Sequence, residues 1–124
     1  MMAWIAGNRY LSQSEMDNNA LIVAQILLEF GWTHNAIAGT LGNMQYESNI
    51  NPGLWENLNE GNTSNGFGLT QWTPATKLIN WCNSKGLNYK DGNAQLQRLQ
   101  YEVEWDTQSP NQGQWINRDG LSFA

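Results

Sequence analysis

The chain has 124 residues and a mass of 14.0 kDa, the size of one domain, and its apolar content of 40% is that of a globular protein rather than a disordered one. Six basic and eleven acidic residues give a net charge of −5, which argues against a nucleic-acid partner because phosphate binding needs a basic surface. No apolar run reaches the roughly 20 residues of a membrane-spanning helix, and residues 1–10 show no secretory signal. We therefore expect a single domain over residues 1–124, without membrane insertion.

The first two helices are predicted from the spacing of apolar residues. Ser14, with an acidic residue three positions on, is the predicted N-cap of a helix over residues 15–30 that ends at Gly31. The apolar residues of this helix cover a wide face, which is typical of a helix buried in a core. Thr33 is the predicted N-cap of a second helix. This helix continues to Ser48 and ends before the Asn-Pro dipeptide that follows, because proline disfavours helical geometry in the residue before it.

The second half of the chain predicts one irregular stretch and two more helices. Residues 54–70 are rich in Asn and Gly and show no helical spacing, which favours short strands and one small β-hairpin. A third helix is predicted to start at Thr73, a cap followed by Pro74 in the first turn, and to end at Gly86. A fourth is predicted over residues 93–105. The expected fold is therefore α+β, mainly α-helical with a small β region.

Amides and tryptophans dominate the polar and aromatic content. The chain contains 17 Asn, 10 Gln and 7 Trp, whereas charged residues make up only 14%. Amide groups donate and accept hydrogen bonds without carrying charge, and indole rings are flat and apolar. Together they suit an uncharged, polyhydroxylated ligand such as a glycan. The alternative is that the tryptophans pack in the core and the amides lie in loops.

Glu47 is the first candidate for chemistry. It lies near the end of the second helix, three residues after Met44, so its carboxyl is expected to border the apolar face of that helix. A carboxylic acid against apolar surface, near the partial negative charge of a helix C-terminus, keeps its proton more readily and can act as a proton donor. The alternative is a solvated glutamate in the last turn of a helix.

A second candidate element follows the predicted hairpin. Glycines on both sides of an aromatic residue let the backbone approach a ligand closely, and an amide and an indole come next, in the segment Gly66-Phe67-Gly68-Leu69-Thr70-Gln71-Trp72. Glycoside hydrolysis normally uses two carboxylates, and Glu56 and Glu60 lie between this segment and Glu47. Either could supply the second carboxylate, and a solvated loop charge is the alternative for each.

Other kinds of site are not indicated. The single cysteine, Cys82, cannot form an internal disulfide, and with the single histidine, His34, it cannot build a zinc site. No spacing of acidic residues resembles a calcium loop. The sequence therefore predicts neither a bound metal nor a cofactor. Cys82 lies in an apolar helical pattern, which favours a small buried group over a nucleophile.

Two blocks of residues, in this order, resemble the phage tail lysozyme family. They are Ala36-Ile-Ala-Gly-Thr-Leu-Gly-Asn-Met-Gln-Tyr-Glu-Ser-Asn-Ile-Asn-Pro52 and Gly66-Phe-Gly-Leu-Thr-Gln-Trp-Thr-Pro74. The likeness is greatest to the N-terminal lysozyme domains of tail-tip cell-wall-degrading proteins of short-tailed Bacillus phages. It extends through residues 57–64 and 115–117, so it covers most of the chain. More distantly, the pattern is similar to soluble lytic transglycosylases and goose-type lysozymes.

The resemblance implies a lysozyme-like fold, in which a helix carries the catalytic acid at its end and the small β-hairpin region forms one wall of a cleft. By position, Glu47 would be the general acid and Glu60 the second carboxylate. The residues that the resemblance places against sugar are Tyr46, Phe67, Gln71 and Trp72. The implied substrate is bacterial peptidoglycan, cleaved at the β-1,4 bond between N-acetylmuramic acid and N-acetylglucosamine.

The resemblance also implies a setting. It predicts a virion protein of the phage tail that opens the host cell wall during infection, next to other tail proteins. Family members continue into further helices, so the chain is expected to lack C-terminal helices of the full family domain. An apolar face such as Leu96, Leu99 and Val103 would then need a neighbouring protein to cover it. Two other functions stay open: a lytic transglycosylase, and a non-catalytic glycan-binding or structural tail subunit.

Overall fold

The computed structural model describes residues 3–106, with the backbone alone for Trp105 and Asp106. Within this range the α-helices are α1 (Gln13–Glu29), α2 (His34–Ser48), α3 (Thr76–Ser84) and α4 (Gly92–Asp106), and a short 3-10 helix spans Glu56–Leu58. α1 packs against α2 and α4, and α3 packs against α4. No helix in this part of the chain is both long and apolar enough to cross a membrane. Residues 115–117, which contribute to the family likeness, lie outside the described residues.

The four predicted helices are confirmed, but the start points of α1 and α3 are wrong. Ser12, not Ser14, caps α1: its hydroxyl accepts from the backbone N–H of Glu15 at 3.3 Å, and the Glu15 carboxylate accepts from the Ser12 N–H at 2.9 Å. Ser12 and Ser14 each lie three residues before an acidic residue, so both fit the N-cap pattern. The pair of hydrogen bonds between Ser12 and Glu15 makes Ser12 the N-cap. α3 begins later than predicted, because the hydroxyl of Thr73 donates to the carbonyl of Gln71 at 2.9 Å instead of capping the helix.

The small β-hairpin predicted for residues 54–70 is not seen. In its place the described chain has two isolated antiparallel bridges, from Trp55 to Phe67 and from Phe67 to Trp72. The second bridge closes a tight turn in which Gly68 has a φ of +88° and Gln71 a φ of +52°. Left-handed backbone interrupts the extended geometry that a strand ladder needs. The fold is therefore mainly α-helical, with an irregular loop region where a β wall was expected.

One hydrophobic core joins the helices to this loop region. α4 lies across α1 and α3, and its apolar face is buried within the chain: Leu96 and Leu99 are 0% exposed and Val103 is 2% exposed. The expectation that this face needs a neighbouring protein to cover it is therefore wrong. Other residues of the core come from all parts of the described chain, including Val23, Leu27, Met44, Phe67, Leu69 and Leu78.

Three fully buried amides, Asn19, Asn51 and Gln95, hydrogen-bond to the backbone of the loops. The carbonyl oxygen of Gln95 accepts from the backbone N–H of Leu69 at 2.9 Å, and its amide nitrogen donates to the carbonyl of Pro52 at 2.8 Å. Asn19 accepts from the N–H of Ile5 and donates to its carbonyl, and Asn51 donates to the carbonyls of Gly7 and Arg9. Buried amides thus satisfy backbone groups that a sheet would otherwise pair. These three amides have a structural role, but the alternative that the amides lie in loops fits only Asn51, since Asn19 lies in α1 and Gln95 in α4.

Candidate functional site

The end of α2 is fixed by a turn and by a buried hydroxyl. Asn49 and Ile50 have φ values of +57° and +54°, so the chain reverses directly after the helix. Ser48 is 1% exposed, and its Oγ lies 2.7 Å from the carbonyl oxygen of Leu69. This contact ties the helix that carries Glu47 to the loop at residues 66–72.

A groove of about 320 Å³ opens beside this junction. Its lining, in the described part of the chain, combines aromatic rings, amides and carboxyls without a lysine or an arginine: Tyr10, Tyr46, Glu47, Leu54, Glu56, Asn57, Gln71 and Thr73. A site with several uncharged hydrogen-bonding groups and aromatic rings suits a ligand rich in hydroxyl groups. This groove, which we call the α2 groove, is the candidate active site.

Glu47 lies in the α2 groove with an exposed side chain, and no described group bonds to its carboxyl. The predicted contact between this carboxyl and the apolar face of α2 is therefore wrong. The buried face of the helix is formed by Ala36, Ile37, Thr40, Met44 and Ser48. A rotation of about 100° per residue places Glu47 near the Ala36–Thr40 edge of that face, but Glu47 lies in the last turn of the helix, where its side chain is exposed. Its carboxyl is open to a ligand in the groove.

Two of the four predicted sugar contacts, Tyr46 and Gln71, line the α2 groove. Tyr46 is 88% exposed, so its ring is free to stack on a ligand. The amide nitrogen of Gln71 donates to the carbonyls of Leu54, at 2.9 Å, and Gly68, at 3.0 Å. These bonds orient the Gln71 side chain, and its carbonyl oxygen has no donor among the described residues.

Phe67, Trp72 and Glu60 do not line the α2 groove. Phe67 is 1% exposed, with its ring centroid 4.4 Å from that of Trp55. Trp72 is buried, and its indole N–H donates to the Glu102 carboxylate at 2.6 Å. Glu60 lines a second cavity, of about 300 Å³, together with Phe67. The structure therefore places Phe67 and Trp72 in the core beneath the loop region, and Glu60 in the second cavity.

Four groove residues were not predicted from the sequence: Tyr10, Leu54, Asn57 and Thr73. Tyr10 is brought there by Asn51, whose amide donates to the carbonyl of the preceding Arg9 at 2.7 Å. No local pattern around Tyr10 carries this information, because the contact joins segments far apart in the chain. Asn57 has a left-handed φ of +54°, a conformation for which asparagine in an irregular stretch is a weak signal.

The one cysteine is buried, as predicted. Cys82 is 0% exposed, and burial raises the pKa of its thiol, which disfavours the reactive thiolate. His34 is exposed at the start of α2. Across residues 3–106, His, Cys, Asp and Glu side chains do not gather in a group of three or more that could hold a metal ion.

The helical fold and the order of helix end, turn and glycine loop fit the expected resemblance to lysozyme-type proteins of phage tails. The pattern of the phage tail lysozyme family matches residues 18–119, and the chain belongs to this family. The chain is also similar to Morphogenesis protein 1 of Bacillus phage B103, with 53% identity over 116 residues. The match covers 94% of this chain and 30% of the relative, so the chain spans about a third of the relative's length.

Proposed function

We propose that the protein is a peptidoglycan hydrolase, a muramidase that cleaves the β-1,4 bond between N-acetylmuramic acid and N-acetylglucosamine. One observation carries this proposal: Glu47 lies at the end of α2 in a groove lined by aromatic rings and amides, with a carboxyl to which no described group bonds. Membership of the phage tail lysozyme family supports glycoside hydrolysis as the type of reaction. The absence of Lys and Arg from the described lining fits an uncharged glycan backbone as the ligand.

In this proposal Glu47 is the general acid. It donates its proton to the glycosidic oxygen as the bond breaks through an oxocarbenium-like state. Sugar rings that fill the groove displace water from the site, so the carboxyl faces the glycosidic bond without intervening solvent. Tyr46 supplies a stacking surface, and the carbonyl oxygen of Gln71 accepts from a sugar hydroxyl or acetamide N–H.

We further propose that the protein acts as part of a virion, at the phage tail, where it opens the host cell wall during infection. Its partners would then be peptidoglycan and other tail proteins. The name of the phage B103 relative, a morphogenesis protein, fits a role in the particle. Membership of a tail lysozyme family fits the same location.

Product analysis tests the reaction. Purified Gram-positive cell walls are incubated with the chain, and the released muropeptides are measured by mass spectrometry. Hydrolysis gives reducing muramic acid ends, which is the expected result. Release of 1,6-anhydro ends would replace the muramidase with a lytic transglycosylase. Walls that bind the protein and stay intact would replace it with a non-catalytic glycan-binding subunit.

Glu47→Gln tests the proposed acid. Glutamine has almost the same shape but no acidic proton, so we expect wall lysis to fall by about 100-fold or more while wall binding persists. The matched control is Glu29→Gln, which changes an exposed glutamate at the end of α1 and should lyse walls like the wild type. Equal lysis by the Glu47→Gln variant and the wild type would remove Glu47 from the reaction.

A further inference from the structure

A second carboxylate lines the α2 groove together with Glu47. Glu56 opens the 3-10 helix, nine residues further along the chain, and the left-handed turn at Asn49 and Ile50 brings the two segments to one groove. Glu60 lines the other cavity instead. The structure thus separates the two glutamates that the sequence left as alternatives for a second carboxylate.

The side chain of Glu56 is anchored to the loop that faces it. Its Oε1 accepts from the backbone N–H of Gly66 at 2.8 Å, while its own backbone N–H donates to the carbonyl of Gly66 at 2.9 Å. The side chain is half-buried, and its second oxygen, Oε2, has no donor within residues 3–106. One oxygen therefore holds the carboxylate in place and the other is available to a ligand.

No cation neutralises this carboxylate in the described chain. The two ion pairs there join Arg9 to Glu15 and Arg98 to Glu102, and the lining of the α2 groove contains no lysine or arginine. An ionised carboxylate fixed beside a glycosidic bond stabilises the positive charge that develops on the sugar and can activate water. Anchoring matters because such a group must already be in place when the charge develops.

We propose that Glu56 is the second catalytic carboxylate of the α2 groove, a role that rests on the proposed muramidase function. The bond between the anomeric carbon and the bridging oxygen breaks, and that oxygen takes the proton of Glu47. The oxygen of a water molecule bonds to the anomeric carbon, and its proton passes to Glu56. The sum is the addition of one water molecule, and proton exchange with solvent restores both carboxyl groups.

The test uses Glu56→Gln, with Glu60→Gln as the matched control. Glutamine keeps a carbonyl oxygen that can accept from the Gly66 N–H, so the anchoring bond survives while the charge is lost. We expect kcat on purified walls to fall by about 100-fold or more, with wall binding and the melting temperature close to wild type. The Glu60→Gln variant should keep the wild-type kcat.

Rescue by a small anion separates a chemical role from an anchoring role. For Glu56→Ala, sodium azide is expected to restore part of the glycan cleavage and to leave a glycosyl azide among the products, because azide attacks the anomeric carbon without needing a base. The Glu47→Gln variant should not yield this product. If glutamine at position 56 supports full activity, or if azide restores nothing in a folded Glu56→Ala protein, the role of Glu56 is overturned.

The same experiments distinguish this inference from the function on which it rests. A wild-type protein that releases no muropeptides would overturn both. A wild-type protein that is active, an inactive Glu47→Gln variant and a fully active Glu56→Gln variant would overturn the inference alone. Release of 1,6-anhydro ends by the wild type would also overturn it, since no water molecule is then activated.

Discussion

Arg9 and Glu15 tie the N-terminal segment to α1 through two hydrogen bonds. Arg9 Nη1 donates to Glu15 Oε1 at 2.9 Å, and Nη2 donates to Oε2 at 2.8 Å. The same carboxylate accepts from the backbone N–H of Ser12. Together these bonds, that to Arg9 first among them, lower the pKa of Glu15 from 4.5 to about 2. One carboxylate is therefore both an ion-pair partner and part of the helix cap.

This lowered pKa predicts an acid-dependent loss of stability. Because the folded state favours the ionised form of Glu15, its stabilising effect is complete above pH 4.5 and disappears as the pH falls towards 2. We expect Glu15→Gln to show a smaller decrease in melting temperature between these two pH values than the wild type. The control, Glu29→Gln, changes an exposed carboxyl without an ion pair in the described chain and should follow the wild-type curve. Parallel curves for Glu15→Gln and the wild type would contradict the prediction.

Residue types alone predicted part of the groove. Glu47, Tyr46 and Gln71 were expected there and line it, since each lies next to a turn that leaves its side chain accessible. Trp72 was expected there too, but its indole N–H has an acceptor, Glu102, that is thirty residues away on α4. An indole suits a sugar surface and a buried hydrogen bond equally well. Only the packing of α4 decides between these two places, and sequence spacing does not contain it.

At the scale of elements, the turn at residues 66–72 depends on the close approach of α4. Gly68 has a φ of +88°, and a Cβ built on it would lie 2.8 Å from the Oε1 of Gln95. That oxygen accepts from the backbone N–H of Leu69, so it cannot move away without losing a buried bond. The glycine therefore serves two needs: a left-handed backbone and room for a buried amide.

Gly68→Ala tests this packing. We expect the free energy of unfolding to fall by about 1–3 kcal/mol, because the methyl group is strained by the backbone conformation and crowds the amide. Chemical denaturation measures the change. Gly42→Ala is the control: its Cβ would meet no atom within 4 Å in α2, so the variant should be as stable as the wild type or more stable by up to about 1 kcal/mol. Equal effects of the two substitutions would contradict the packing argument.

The sequence predicts the helices correctly and the loop region wrongly, because hydrogen bonds are local in a helix and long-range in this loop region. Helix hydrogen bonds are local, so apolar spacing and caps indicate α1 to α4 to within a few residues. The segment between α2 and α3 pairs with distant side chains instead: Gln95 bonds to Pro52 and Leu69, and Ser48 bonds to Leu69. A sequence rich in Asn and Gly does not indicate whether its backbone N–H and C=O groups pair with a neighbouring strand or with a buried amide side chain.

At the scale of the whole molecule, α4 completes the core. Its buried residues face α1 and α3, and its polar residues reach into the loop region, through Gln95, and to Trp72, through Glu102. The helix therefore packs the core and positions the turn beneath the α2 groove at once. Loss of packing on α4 should consequently affect stability throughout the described chain rather than at one end.

Leu99→Ala tests whether the isolated chain buries this face by itself. Leu99 is 0% exposed, so removing most of its side chain should leave a cavity and lower the free energy of unfolding by about 2–5 kcal/mol. Leu21, 60% exposed on α1, provides the control, since Leu21→Ala should change this free energy by no more than about 0.5 kcal/mol. If Leu99→Ala were as mild as Leu21→Ala in the purified protein, the face of α4 would be open to solvent. A neighbouring protein would then be needed to close the core, and the α2 groove would depend on that neighbour as well.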